Sequence, residues 1–382
     1  MFRFNSFFAF GIFFPITFIH AQDPSLKSVY DSMSIDMDPS DYTIHDPSRI
    51  ITIGNKDLIA VTGKAQEDGY DCGIETWWRK TGTKKWNPGQ CLFQTKPSWV
   101  AEESPENDGA YWAPELDLKD GVLTLLYSVS EWASDTPNTC VGVAKAIGNA
   151  AAFPDGLTWV DQGQPLTCIV GADYDVERSA IDPSVFWGFG ADEGKLFLVT
   201  GGGYIIGTEL DPNTYDQISG EWFDEDGNDW SELARGPKEQ GTFDWVEAAY
   251  IHPNPRTGYY YLFVNWGACC SGTDSTYEIR VGRSRNPMGP YKDKNGVDLM
   301  QGGGTLVAKS GKGKDHYVIG PGHTGVWTDK KGRSFISFHY YDGRRDGNSW
   351  IAEKNLRFNK QGWPVVAGKA KRTFPMKKKK SN

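Results

Sequence analysis

Apart from one segment near the N-terminus, the 382 residues contain no apolar run approaching the length of a bilayer-spanning helix. That segment, residues 7–19, is itself too short to span comfortably. It follows Arg3 and leads into His20-Ala21-Gln22, where a small residue suits cleavage after Ala21. Residues 1–22 therefore read as a signal peptide and the rest as an exported, non-spanning protein: secreted, periplasmic or held at the cell surface. No cysteine lies near the cleavage point to accept a lipid. Basic clusters are missing outside residues 377–380 and the net charge is −9, which argues against a nucleic-acid partner. Residues 371–382 read as a solvated basic tail. There is no Cys-x-x-Cys pair and no histidine cluster at zinc spacing, so a structural zinc site has no support. Amphipathic helices of ordinary length are lacking as well.

What is present is strands, turns and aromatic rings. After a polar lead at residues 23–40, short segments rich in β-branched and aromatic residues recur, for instance at 50–53, 58–62, 123–129, 196–200, 259–265, 279–283, 305–309 and 334–340. Asn-Gly and Asp-Gly turns separate many of them, as at Asp120-Gly121 and Asn295-Gly296. An aromatic segment, a turn and an apolar strand return at roughly 60–70-residue intervals, the spacing of four-stranded propeller blades. Residues 41–370 then hold an all-β, five-bladed β-propeller, with a sandwich or β-helix as the competing architectures. Residues 211–244 read as one long polar loop that could cap a cleft. Fifteen tryptophans exceed what a core needs, and a flat ring with one N–H suits stacking on sugars as well as packing between sheets.

Six cysteines stand at 72, 91, 140, 168, 269 and 270. Proximity in sequence suggests Cys72–Cys91 and Cys140–Cys168, although spacing alone does not prove connectivity. Cys269 and Cys270 can join only through a small ring, or remain free or separately bonded.

Three acids have distinctive surroundings: Asp46 in His45-Asp46-Pro47-Ser48, Asp182 in Ile181-Asp182-Pro183-Ser184, and Glu247 in Trp245-Val246-Glu247-Ala248. The proline after each Asp predicts an extended backbone at a strand entrance. In a propeller such entrances converge on one end of the channel. Cleaving a glycosidic bond needs a proton for the leaving oxygen and a base or nucleophile on the other side, and a third charge helps to part their pKa values. Each motif alone is more often an ordinary turn or surface strand.

The order of motifs resembles glycoside hydrolase family 43, the five-bladed arabinanases and arabinofuranosidases, and most of all the endo-1,5-α-L-arabinanases. The likeness runs from His45 to Val366 through His45-Asp46-Pro47, Tyr111-Trp112-Ala113-Pro114-Glu115, Ala180-Ile181-Asp182-Pro183-Ser184, Val246-Glu247-Ala248, Cys269-Cys270, Gly320-Pro321-Gly322-His323 and Gly362-Trp363-Pro364. It implies a polysaccharide substrate cut with inversion, Asp46 as general base, Glu247 as general acid and Asp182 as the group keeping Glu247 protonated and oriented. Acid and base would stand roughly 6.5–9.5 Å apart. It further implies a calcium or sodium ion in the central channel, held by His323 largely through waters, no organic cofactor, and a monomer. Trp112, Trp266, Tyr341, Cys269 and Cys270 are candidate substrate contacts. Ala249 replaces the proline common in endo-acting members, and Cys72, Trp77 and Trp78 are additions expected to alter the cleft walls. An exo-acting arabinofuranosidase or xylosidase is the enzymatic alternative, and a glycan-binding or purely structural propeller the non-catalytic one.

Overall fold

The computed structural model describes residues 43–367, without 67–68, 94, 110, 132–137, 150–152, 154–155, 170–178, 219–229, 240–241, 312–315 and 330. The segments expected to form a signal peptide, a polar lead and a basic tail lie outside the described residues, as do the first positions of the predicted propeller. Runs such as Tyr-Tyr-Tyr-Leu-Phe-Val in Tyr259–Trp266 and Leu-Thr-Leu-Leu-Tyr in Val122–Ser130 are apolar without alternation, and the interiors of both strands are buried. A strand covered on both faces needs this pattern. Outer strands such as Leu157–Asp161 alternate instead, with one face toward solvent.

Each covered strand belongs to an antiparallel sheet, and five such sheets form a ring, four of them four-stranded and the second carrying Thr167–Ile169 as a fifth strand paired with Thr139–Gly148. Blade I runs from Ile51–Ile53 through Lys56–Gln66 and Gly69–Lys80 to Asn87–Cys91. The innermost strands of blades II to V are Tyr111–Lys119, Ser184–Trp187, Val246–Asn254 and Val318–Thr328. Five apolar clusters fill the ring, one between each pair of neighbouring blades. The cluster that closes it joins Ile59, Val61, Trp77 and Trp86 of blade I to Ile351 of blade V. The closure is reinforced by Ile44 N–H donating to the Ser349 carbonyl at 3.1 Å and by Arg79 pairing with Glu353.

Two expectations need correction. Residues 211–244 are not one loop, because Ser231–Arg235 is the outer strand of blade III and Lys238–Glu239 pairs with Thr242–Phe243 in a hairpin. Trp77 and Trp78 pack into blade interfaces rather than cleft walls, and Cys72 bonds Cys91 across blade I. Cys140 bonds its register partner Cys168, and Cys269 bonds Cys270.

Candidate active site

One non-glycine residue with positive φ occurs where each innermost strand enters the channel: Asp46 (43°), Ala113 (47°), Asp182 (55°), Ala248 (54°) and His323 (55°). The two Asp-Pro aspartates are thus left-handed, not extended. At Ala113, Ala248 and His323 the strand bulges, and pairing skips between Trp112 and Glu115, Glu247 and Tyr250, and Gly322 and Gly325, while Asp46 and Asp182 make the same turn just before their strands begin. Each turn directs an amide off the ladder toward the preceding blade, and a side chain there accepts it. Ala113 N–H donates to Thr62 Oγ1 (3.0 Å), Asp182 N–H to Ser128 Oγ (2.9 Å), His323 N–H to Asn265 Oδ1 (3.1 Å) and Asp46 N–H to His339 Nδ1 (3.2 Å). Such conformations cost about 1–3 kcal/mol each and persist where the surroundings over-determine them.

The blade III–IV junction differs. The place taken elsewhere by the accepting side chain falls on Gly201, whose N–H donates to the Ile181 carbonyl (2.8 Å) as Thr62 N–H does to that of His45 (3.1 Å). Gly201 has no side chain to offer, and Asp182 Oδ2 itself accepts Ala248 N–H at 2.9 Å. One of the acids is therefore fastened to the backbone beside another, Glu247.

These residues open on a cleft of about 1100 Å³ lined by Asp46, Asp182 and Glu247 together with His45, Trp112, Trp245, Tyr277, Cys269, Cys270 and Tyr341. Asp46 Oδ2 receives the Thr62 hydroxyl (2.8 Å) and lies 2.7 Å from His45 Nδ1, and His339 stacks on His45 with ring centroids 4.3 Å apart. Glu247 Oε2 accepts Trp245 Nε1–H at 2.7 Å, and its Oε1 bonds the Tyr277 hydroxyl.

The electrostatics divide the acids. Burial pushes the Asp46 carboxyl up, but His45, His339 and His323 outweigh it and hold Asp46 well below its ordinary value. Burial, then Glu247, then Asp46 push Asp182 well above the carboxylate range. Burial raises Glu247 as well, against the pull of the Tyr277 and Trp245 hydrogen bonds. One cleft thus holds an ionised carboxylate and a carboxyl pair that retains a proton.

The sequence pattern of the glycosyl hydrolases family 43 matches residues 70–364. The chain belongs to this family. It is 33% identical over 288 residues to an extracellular exo-α-(1→5)-L-arabinofuranosidase of Cellvibrio japonicus, covering 74% of this chain and 77% of that one. An extracellular endo-α-(1→5)-L-arabinanase of Bacillus subtilis is 28% identical over 327 residues, with 85% and 88% covered. The α-L-arabinanase of Cellvibrio cellulosa, solved with arabinohexaose, superposes with a TM-score of 0.70 at 28% identity, covering 85% of this chain and 95% of that one. The protein is an inverting family 43 glycoside hydrolase built as a five-bladed propeller.

Of the substrate contacts expected in this family 43 hydrolase, Trp112, Tyr341, Cys269 and Cys270 line the cleft and Trp266 does not. Trp266 follows Asn265 in its strand, so alternation turns it away from the channel, where Arg280 stacks over its ring at 4.4 Å. His323 lies beside the acids, its Nδ1 3.6 Å from Asp46 Oδ1, and burial lowers its pKa so that the imidazole stays neutral. His45, Asp46 and His339 also bring three potential ligand atoms within 4.8 Å of one another, and His339 Nε2 has no hydrogen-bond partner among the described residues. Nitrogen donors with one carboxylate fit a hard cation only if water supplies most of its shell. Trp245 and Tyr277, which hold Glu247, carried no assigned role in the sequence. Trp245 stands two residues before Glu247, which was the available signal.

Proposed function

We propose that this protein is an exported, monomeric hydrolase of α-1,5-linked L-arabinan that cuts within the chain. Asp46 is the general base that draws a proton from water as it attacks the anomeric carbon, and Glu247 is the general acid that protonates the departing glycosidic oxygen. Asp182 fixes Glu247 through the Ala248 amide, and the repulsion between the two carboxyls keeps a proton on the pair. What supports this reading is the division of the acids within one cleft, Asp46 held well below its ordinary pKa and the Glu247–Asp182 pair raised above it. Inversion needs that asymmetry, because one group must accept a proton while the other gives one. The arabinan substrate and the export rest on the names of the relatives.

A calcium or sodium ion beside His323 belongs to the same proposal. His323 would hold it largely through waters, near Asp46, and its charge would offset the three carboxylates. Removal of divalent ions by a chelator, with sodium exchanged for a bulky organic cation, is expected to lower both the melting temperature and turnover.

With linear arabinan the mature protein should release oligosaccharides whose first-formed anomer, followed by proton NMR, is inverted. Glu247→Gln should lower kcat by roughly 10²–10⁴. Release of monosaccharide alone would favour the second reading, removal of units from chain ends, which the exo-acting relative supports. Sugar binding without turnover would leave a glycan-binding propeller.

A further inference from the structure

The Cys269–Cys270 disulfide lines the cleft, and so does Tyr341. Their polar contacts run toward the acids. Cys270 N–H donates to Tyr341 Oη at 2.7 Å, Tyr341 Oη lies 2.7 Å from His45 Nε2, and His45 Nδ1 lies 2.7 Å from Asp46 Oδ2. We infer that the vicinal disulfide and Tyr341 are positioning elements for the base, acting on Asp46 through His45. This rests on the reading of Asp46 as base.

The proton count supports the direction of the relay. A phenol oxygen has two lone pairs and one proton. Cys270 N–H fills one lone pair, and the Ser275 hydroxyl, which itself receives Ser271 N–H at 3.1 Å, is a further polar neighbour of the phenol. One proton lies between Tyr341 Oη and His45 Nε2, on the phenol when His45 is neutral and on the ring when it is protonated. Burial lowers the His45 pKa but Asp46 raises it further, and both in the protonated ring and in the neutral tautomer that this network favours the Nδ1 proton points at Asp46 Oδ2. The opposite tautomer would set a ring lone pair against the carboxylate. His45 is further confined by its stack on His339.

The disulfide is what holds the first link of the relay. Cys270 has φ of 64°, a left-handed conformation that a non-glycine residue keeps only where the structure imposes it. Tying its side chain to the preceding residue in a closed ring imposes it, and the amide is thereby aimed at Tyr341 Oη. Tyr341 is almost wholly buried at the edge of the cleft, which confines its ring.

The test compares kcat and KM on linear arabinan for Tyr341→Phe, for the double variant Cys269→Ala with Cys270→Ala, and for all three changes together, with Asp46→Asn alongside. Tyr341→Phe removes one oxygen, and the alanine pair removes the covalent link while keeping the amide. Each is expected to lower kcat roughly tenfold or more with KM nearly unchanged, and the combination should be no slower than the slower parent, since links of one relay do not add. A rise in KM with kcat intact would overturn the proposal and make both groups walls for the sugar. So would losses that multiply in the combined variant. Asp46→Asn tells the two failures apart. If it retains turnover, the base is misassigned. If it is inactive while the other variants match the parent in kcat, the base stands and the relay fails.

Discussion

Asp182 and Glu247 are buried neighbours whose carboxyls are both raised, whereas Asp46 is held down by three imidazoles. The pH dependence follows from those directions. The base must be ionised, so activity is lost at the acid end only as pH falls through the depressed Asp46 value. The acid must be protonated, so activity is lost at the alkaline end as pH rises through the elevated value of the Glu247–Asp182 pair. Asp182→Asn removes the carboxyl with which Glu247 shares a proton, and with it the repulsion that keeps both from ionising. The alkaline limb of kcat/KM should therefore move to lower pH and the acid limb stay in place. A pH–rate profile in which the acid limb moved instead would assign Asp182 to the base. These three acids were legible in the sequence because chemistry restricts their type and Pro or Trp marks their setting. Their backbone was not. Proline after Asp46 and Asp182 suggests extension, but the turn is decided by an acceptor on another blade, Ser128 or His339, far away in the chain. Trp266 failed for a related reason, since ring chemistry does not reveal which face of a strand a residue occupies.

At the level of the innermost strands, the five turned amides form one device repeated around the channel, and Gly201 is its exception. An added Cβ there would stand 2.0 Å from the Tyr204 carbonyl oxygen, with φ at 130°. Gly54 also has positive φ, 61°, but nothing lies within 4 Å of its would-be Cβ. Gly54→Ala should therefore cost about 1 kcal/mol in left-handed strain alone, and Gly201→Ala about 2 kcal/mol or more because the backbone must also move. Urea unfolding midpoints compare them directly. Gly201→Ala should lower kcat too, because the displaced turn lies against the strand entrance that carries Asp182. Equal costs at the two positions would mean that the junction between blades III and IV yields freely. The strands themselves were readable from apolar runs and turn residues, and the blade period from their recurrence. The long segment before Glu247 was misread as loop because Ser231–Arg235 is an outer strand, short and polar on its solvent side.

A ring of five blades is only as stable as its last junction, and here that junction pairs the first blade with the fifth. The apolar cluster at this seam is the smallest of the five by membership, and Arg79 compensates. Its Nε donates to Asp57 Oδ2 at 2.9 Å, its Nη2 to Glu353 Oε2 at 2.7 Å with a second bond from Nη1, and its guanidinium covers the Trp86 ring at 4.4 Å. No local pattern in the sequence links residue 79 to residue 353, so this part of the fold could not be read in advance. Arg79→Ala should destabilise by about 3–5 kcal/mol, because it strands the buried Asp57 carboxylate while releasing the seam. Asp57 keeps the Thr52 and Thr81 hydroxyls at 2.9 and 2.8 Å, which places the expected cost toward the lower end of that range. Arg79→Lys should recover less than half of the loss, since a single ammonium cannot serve Asp57 and both Glu353 oxygens and still lie flat on Trp86. Glu353 is partly exposed, so Glu353→Gln should cost less than Arg79→Ala. Denaturant midpoints that rank Arg79→Ala below Glu353→Gln would place the closure energy in the buried half of the contact. The reverse order would mean that the seam is held by the exposed pair and that Asp57 is content with its two threonines.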